Sequence, residues 1–331
     1  MSTNHAIIVE GLSKTFIATE RGKGLAGAMR GLFAPKRRSI EAVRDISFFV
    51  NRGERVAFVG PNGAGKSTTI KMLSGILYPT AGNARVAGLV PWKERSQLGY
   101  RIGTVFGQRS QLWYHLPATD TFDLLSKVYE LDNAAFESRR DELVRTFEVG
   151  DLISRPVRQL SLGQRMRLEL VASLLHRPEV LFLDEPTIGL DVTAKAVIRD
   201  LVRQCSIQDG TAVLLTSHDT GDMERVCERV IVINDGRLLI DRPVRELRSS
   251  YIRRKVVTLL TTQESVQLEM PGVELVERAP YRAIFEVDTA ITPIENVVSR
   301  ALSLGGLRDV TIEDPPMEEI VKMMYAESHK L

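Results

Sequence analysis

The chain has 331 residues, 44% of them hydrophobic and 26% charged, with 44 Lys and Arg against 42 Asp and Glu. That length exceeds one usual single-core domain, so a large domain joined to a small one is expected. The balanced charge excludes a general electrostatic pull toward nucleic acid, and no nucleic-acid partner is expected.

The opening MSTNHAIIVEGLSKTF has neither the basic start nor the long apolar run of a secretory signal. Cys205 and Cys227 have no metal-ligand spacing and are expected as reduced thiols of a cytosolic protein. AIIVE, ISFFV and RVAFV read as strands, interrupted by a basic amphipathic insertion over residues 17–40. Within it Leu25, Ala28, Met29, Leu32 and Phe33 recur at helical spacing among Arg21, Lys23, Arg30, Lys36, Arg37 and Arg38. A helix lying on a membrane surface has that pattern, and a solvated basic loop fits the same residues.

GPNGAGKST follows RVAFV and precedes the helical run TIKMLSGI. Gly60, Gly63 and Gly65 allow backbone angles that turn successive N–H groups inward, and their missing side chains let an anion approach. The helix start adds its positive end, Lys66 a mobile ammonium for terminal phosphates, and Ser67 a hydroxyl for an accompanying magnesium ion. A nucleotide triphosphate site is the expectation, with Pro61, Asn62, Ala64 and Thr68 completing the cradle.

Strand-like stretches follow near Arg85 to Ala87 and Tyr100 to Phe106. From Ser110 to Leu175 the spacing becomes helical, as in TFDLLSKVYEL and ELVRTFEV, with Pro117 suiting a helix start. LSLGQRMRLEL places Ser161 before a long amphipathic helix, either a plain N-cap or a second anion site. In VLFLDEPTIGLD an apolar strand ends in Asp184 and Glu185; strand alternation puts them on opposite faces at the sheet's carboxyl edge, one for magnesium and one toward a water. Read alone, the pair is equally a helix N-cap cluster. TAVLLTS and RVIVIND return as strands, and buried strands alternating with helices define an α/β layered sheet with a helical insertion.

Beyond about Asp241 the pattern shifts: KVVTLLTT, VELVERA, RAIFEVD and LRDVTIED read as strands, TPIENVVSRALSLGG and MEEIVKMMY as helices. A small α+β accessory domain over 250–331 is expected beside a domain spanning 1–243. Apolar runs such as VLFL and VIVI are far short of the roughly 18 residues a bilayer span needs, so the chain is expected not to cross a membrane by itself.

Taken in order, GPNGAGKST, FGQ (Gln108), LSLGQ, LFLDEPT, GLD (Asp191) and LLTSHD (His218) resemble the ATP-binding subunit of an ABC transporter. The match runs from Ile7 to about Pro243 and implies a P-loop NTPase sheet with an inserted helical subdomain over about 109–175. The insertion after Phe16, the GQRSQLWYHLPATDTF stretch and the C-terminal appendage look most like the branch of daunorubicin-, viologen- and polysaccharide-exporter ATPases.

The resemblance implies that Lys66 binds the β- and γ-phosphates, that Ser67 and Asp184 hold magnesium, and that Gln108 contacts the metal and the attacking water. Glu185 is implied as the base or water-orienting acid, His218 as a γ-phosphate contact, and Phe16 as the adenine-stacking ring. Ser161, Leu162, Gly163 and Gln164 are implied to reach the ATP of a second copy, with Asp191 in the D-loop beside them. Leu162 departs from the family's usual glycine, and a backbone contact survives the change if its angle is ordinary. The implied cofactors are ATP and Mg2+, and the implied reaction is hydrolysis of MgATP by an in-line water.

The implied partners are transmembrane permease subunits and a second ATPase chain, identical or paired, at the cytoplasmic face of the membrane. Leu112, Trp113, Tyr114 and Leu116 suit a socket for a permease helix, and equally an ordinary core. Two other readings stay open: an importer ATPase, and a non-transport ABC ATPase of the ribosome-associated or DNA-repair type. The ribosome-associated type carries two cassettes in one chain and the repair type long heptad coiled coils, whereas this sequence has one cassette and no such coil.

Overall fold

The computed structural model describes residues 4–20, 36–107, 110–217, 219–246, 254–264 and 267–313. Two compact units divide the chain, one over Met1–Arg242 and one over Pro243–Leu331.

The first unit begins with β1 (His5–Glu20) and β2 (Lys36–Asn51), then β3 (Arg55–Val59), α1 (Lys66–Leu73), β4 (Ala81–Val86), α2 (Arg95–Gly99) and β5 (Ile102–Phe106). The helical region holds α3 (Ala118–Val128), α4 (Asn133–Thr146) and α5 (Leu162–Leu174). It is followed by β6 (Val180–Asp184), α6 (Val192–Asp209), β7 (Ala212–Ser217), α7 (Thr220–Val226), β8 (Arg229–Asn234) and β9 (Arg237–Pro243).

Six strands form the central sheet in the order β5-β6-β7-β3-β8-β9. From β5 to β8 neighbouring strands pair in parallel. Every residue of β3 and β7 is buried, because helices need both faces of a parallel sheet and leave no room for a polar side. The core gathers Phe58, Phe182, Ile70, Leu73 and Leu214, and each such side chain contributes roughly 1.5–3 kcal/mol on leaving water. A topology that reaches β3 between β7 and β8 puts the β3 carboxyl end at mid-sheet, where α/β folds bind ligands.

A second, three-stranded sheet runs β2-β1-β4. Its ladder takes in both ends of the insertion as strand: Phe16 pairs with Ile40, Ile17 with Ser39, Ala18 with Arg38, Thr19 with Arg37 and Glu20 with Lys36. The local spacing of these end residues carries no information about pairing, which the partner strand decides. Leu25, Ala28, Met29, Leu32 and Phe33 lie outside the described residues.

In the second unit β10 (Arg254–Thr261), β11 (Val273–Ala279), β12 (Arg282–Asp288) and β13 (Leu307–Glu313) form an antiparallel sheet ordered β11-β12-β10-β13. Helix α8 (Ile294–Ser303) buries Val297 and Ala301 with Val257, Leu259, Phe285 and Val287 of the sheet. The stretch MEEIVKMMY lies outside the described residues. Among those described, no helix is long and apolar enough to cross a membrane.

Candidate functional site

The loop between β3 and α1 walls an open cleft of about 820 Å³, lined by Pro61 through Thr68, Lys71, Ile76, Phe106, Gly107, Asp184, Glu185 and Ile188. Two of its three glycines take positive φ, Gly63 at 84° and Gly65 at 103°. Gly60 does not; it is glycine because a Cβ there would collide with the carbonyl oxygen of Ile233 on β8. Gly65 is the N-cap of α1 and offers no side-chain acceptor, so the first-turn N–H groups stay directed at the cleft.

Lys66 curls back into this loop. Its Nζ donates to the carbonyls of Gly60 at 2.6 Å and Pro61 at 3.2 Å, and lies 3.7 Å from Glu185 Oε1. Burial pushes the Lys66 ammonium below its ordinary pKa, against the opposing pull of the Glu185 and Asp184 carboxylates. Ser67 Oγ donates to Asp184 Oδ1 at 3.0 Å, and Thr216 Oγ1 donates to the same oxygen at 2.6 Å. Thr216, at the next strand end, is a partner that no motif announces.

The two carboxylates do not follow strand alternation. β6 ends at Asp184, and Glu185 sits at φ 55°, in the left-handed region. That turn swings Glu185 out of the strand and into the same cleft as Asp184. Its N–H donates to the Thr216 carbonyl at 3.1 Å and to Thr216 Oγ1 at 3.2 Å, which holds the strained backbone in place.

At the start of α5, Ser161 is exposed and forms a reciprocal capping box: its Oγ accepts from Gln164 N–H at 3.2 Å, and Gln164 Oε1 accepts from Ser161 N–H at 2.9 Å. Leu162 is the first helical residue and has no positive φ, so the family's glycine is not needed for backbone reasons. A Cβ on Gly163 would press within 3.0 Å of Ala194 Cβ, so this helix start packs closely on that of α6. Asp191 caps α6, accepting from Ala194 N–H at 2.8 Å. None of Ser161 to Gln164 lines the phosphate cleft of the same chain.

Phe16 lies on β1, partly exposed, with Lys14 Nζ 5.2 Å from its ring centre; it does not line the cleft. Gln108 and His218 lie outside the described residues. Of the four apolar residues near the start of the helical region, Leu112 is buried while Trp113, Tyr114 and Leu116 are exposed. The buried Glu169 of α5 anchors that segment from below: Ser110 Oγ donates to it, as does the Gln111 N–H at 3.2 Å. Desolvation raises the Glu169 pKa.

A parallel sheet carrying a glycine-rich loop, a buried lysine and a strand-end carboxylate pair defines a P-loop nucleotide-binding fold. The ABC transporter family model matches residues 43–188. The daunorubicin resistance ATP-binding protein DrrA3 of Streptomyces coeruleorubidus is 32% identical over 287 residues, covering 85% of this chain and 90% of that protein. The ABC transporter ATP-binding protein NatA of Bacillus subtilis is 31% identical over 207 residues, covering 62% of this chain and 84% of that protein. Among solved structures, an ATP-binding subunit of an ABC transporter superposes with TM-score 0.60 at 25% identity, covering 74% of this chain and 93% of the other. The chain belongs to the ABC transporter ATP-binding proteins.

Proposed function

We propose that this chain hydrolyses MgATP to drive a separate membrane permease of the exporter type. The observation that carries the reading is the convergence of four side chains on one cleft: Lys66 lies 3.7 Å from Glu185 and Ser67 3.0 Å from Asp184. The relatives named for daunorubicin resistance support export.

In this reading the α1 N–H groups and Lys66 bind the β- and γ-phosphates, with Phe16 stacking on adenine and Asn62 through Thr68 wrapping the phosphate chain. The Ser67 hydroxyl and Asp184 carboxylate form a two-oxygen set that fits a cation completing its shell with phosphate oxygens and water, as magnesium does. When bound, that ion neutralises charge developing on the phosphates. Phosphate oxygens would compete with Glu185 for Lys66, leaving the Glu185 carboxylate to accept a proton from, or orient, the attacking water. Gln108 and His218 take the roles that the family resemblance implies.

Residues 1–243 would form the nucleotide-binding domain and 250–331 an accessory domain that contains no ATP motif. The exposed Trp113, Tyr114 and Leu116 would face the permease at the cytoplasmic side of the membrane, with two ATPase chains per transporter. Glu185→Gln should retain ATP binding and slow steady-state hydrolysis by about 100- to 10,000-fold, the range for losing a general base. Normal turnover in that variant would remove Glu185 from its role.

A further inference from the structure

Close to the cleft lies a carboxylate that no motif singles out. Asp222 on α7 is completely buried. Its Oδ2 accepts from Thr187 Oγ1 at 2.6 Å and from Ser217 Oγ at 2.6 Å, while Oδ1 accepts from Arg199 Nε at 2.6 Å. The Ser217 hydroxyl also accepts from the Asp219 N–H at 2.9 Å. Asp219 is held from α6 by Lys195 Nζ at 2.6 Å and Arg199 Nη2 at 2.9 Å.

Stability alone does not account for this node, since well-packed apolar side chains often replace a buried ion pair without loss. Its position suggests another use. Thr187 stands two residues after Glu185, and Ser217 and Asp219 flank position 218 on both sides. Glu185 occupies a left-handed backbone conformation, which persists only where the surroundings over-determine it. One support is Thr216, hydrogen-bonded to the Glu185 N–H and next in chain to Ser217. The other is Thr187, two residues further along the same turn and bonded to Asp222. Both lead to the same Asp222 oxygen.

We propose that Asp222 is a positioning residue for hydrolysis: it locks the Glu185 turn to the end of β7 through Thr187 and Ser217, so that Glu185 keeps one geometry toward the terminal phosphate. The inference rests on the proposed role of Glu185. Arg199 and Lys195 extend the lock to α6, whose N-cap is Asp191.

The test uses the full chain with Mg2+ and ATP. Thr187→Val and Ser217→Ala each remove one donor to Asp222 and leave its Arg199 pair in place. Each should lower kcat about 10-fold, less than the roughly 100-fold that a full 1 Å misplacement can cost, with ATP affinity within about 2-fold of the parent. Thr187→Ser, which keeps the hydroxyl, should restore kcat. The double variant should lose less than the product of the single losses, because both act through one carboxylate. Added to Glu185→Gln, Thr187→Val should cost little further.

Three results would overturn the proposal: unchanged kcat with only a lowered melting temperature, fully multiplicative losses, or an undiminished Thr187→Val effect in the Glu185→Gln background. Undiminished hydrolysis by Glu185→Gln itself would instead overturn the reading of the active site.

Discussion

His176 is a half-buried base with one satisfied nitrogen. Its Nε2–H donates to the Ile102 carbonyl at 3.0 Å, its ring stacks on Tyr129 at 3.9 Å, and its Nδ1 has no partner among the described residues. Burial lowers its pKa from 6.5 to about 4. The unfolded chain therefore binds a proton between those values that the folded chain refuses, and stability falls as pH drops through that window. The loss is on the order of 1 kcal/mol per pH unit between about 6 and 4. His176→Gln, which keeps a side-chain donor but cannot titrate, should flatten this part of the slope. Urea midpoints of both proteins at several pH values in that range would show it; parallel slopes would mean His176 is protonated in the folded chain at little cost.

At the scale of elements, the phosphate loop separates two reasons for glycine. A Cβ on Gly65 would collide with the Ala42 carbonyl oxygen in addition to forcing φ 103°, whereas Gly63, at φ 84°, faces open space. Gly63→Ala should cost about 1 kcal/mol from the left-handed backbone alone, while Gly65→Ala should cost clearly more and displace the start of α1, weakening ATP binding. Equal melting temperatures for the two variants would contradict the assigned contact.

The same contrast shows what the sequence could reveal. β3 and β6 each hold four consecutive apolar residues, followed directly by Gly60 in one and Asp184 in the other, and the loop's spacing is set by phosphate chemistry, so both are legible locally. Thr216 and Asp222 act through hydrogen bonds to residues about thirty positions away, and nothing in their own neighbourhood marks them. The joining of β1 to β2 across the insertion is hidden for the same reason: pairing depends on the partner strand. Gly60 and Glu185 invert simple expectations. One is constrained by a neighbouring strand rather than by its own φ, and the other leaves the strand that alternation assumes.

At the scale of the molecule, the groups proposed to bind the triphosphate are divided within one chain. The cleft holds one helix start and Lys66, while the exposed start of α5 at Ser161 lies outside it. A triphosphate carries more negative charge than one helix end and one lysine neutralise, which favours a second helix end brought by another chain. A two-fold dimer in which the phosphate loop of one chain faces Ser161 of its partner contains two equivalent mixed sites. The arrangement predicts an outcome by counting. Lys66→Ala damages both sites of its own homodimer, and so does Ser161→Arg. In a heterodimer of the two variants, one site carries both lesions and the other neither. Mixing the two should therefore restore ATP-dependent dimer trapping, together with some hydrolysis. Sites built within single chains would each retain a lesion and recover nothing. Heterodimers that form but trap no nucleotide would rule out the shared site, because one of their two sites should be intact.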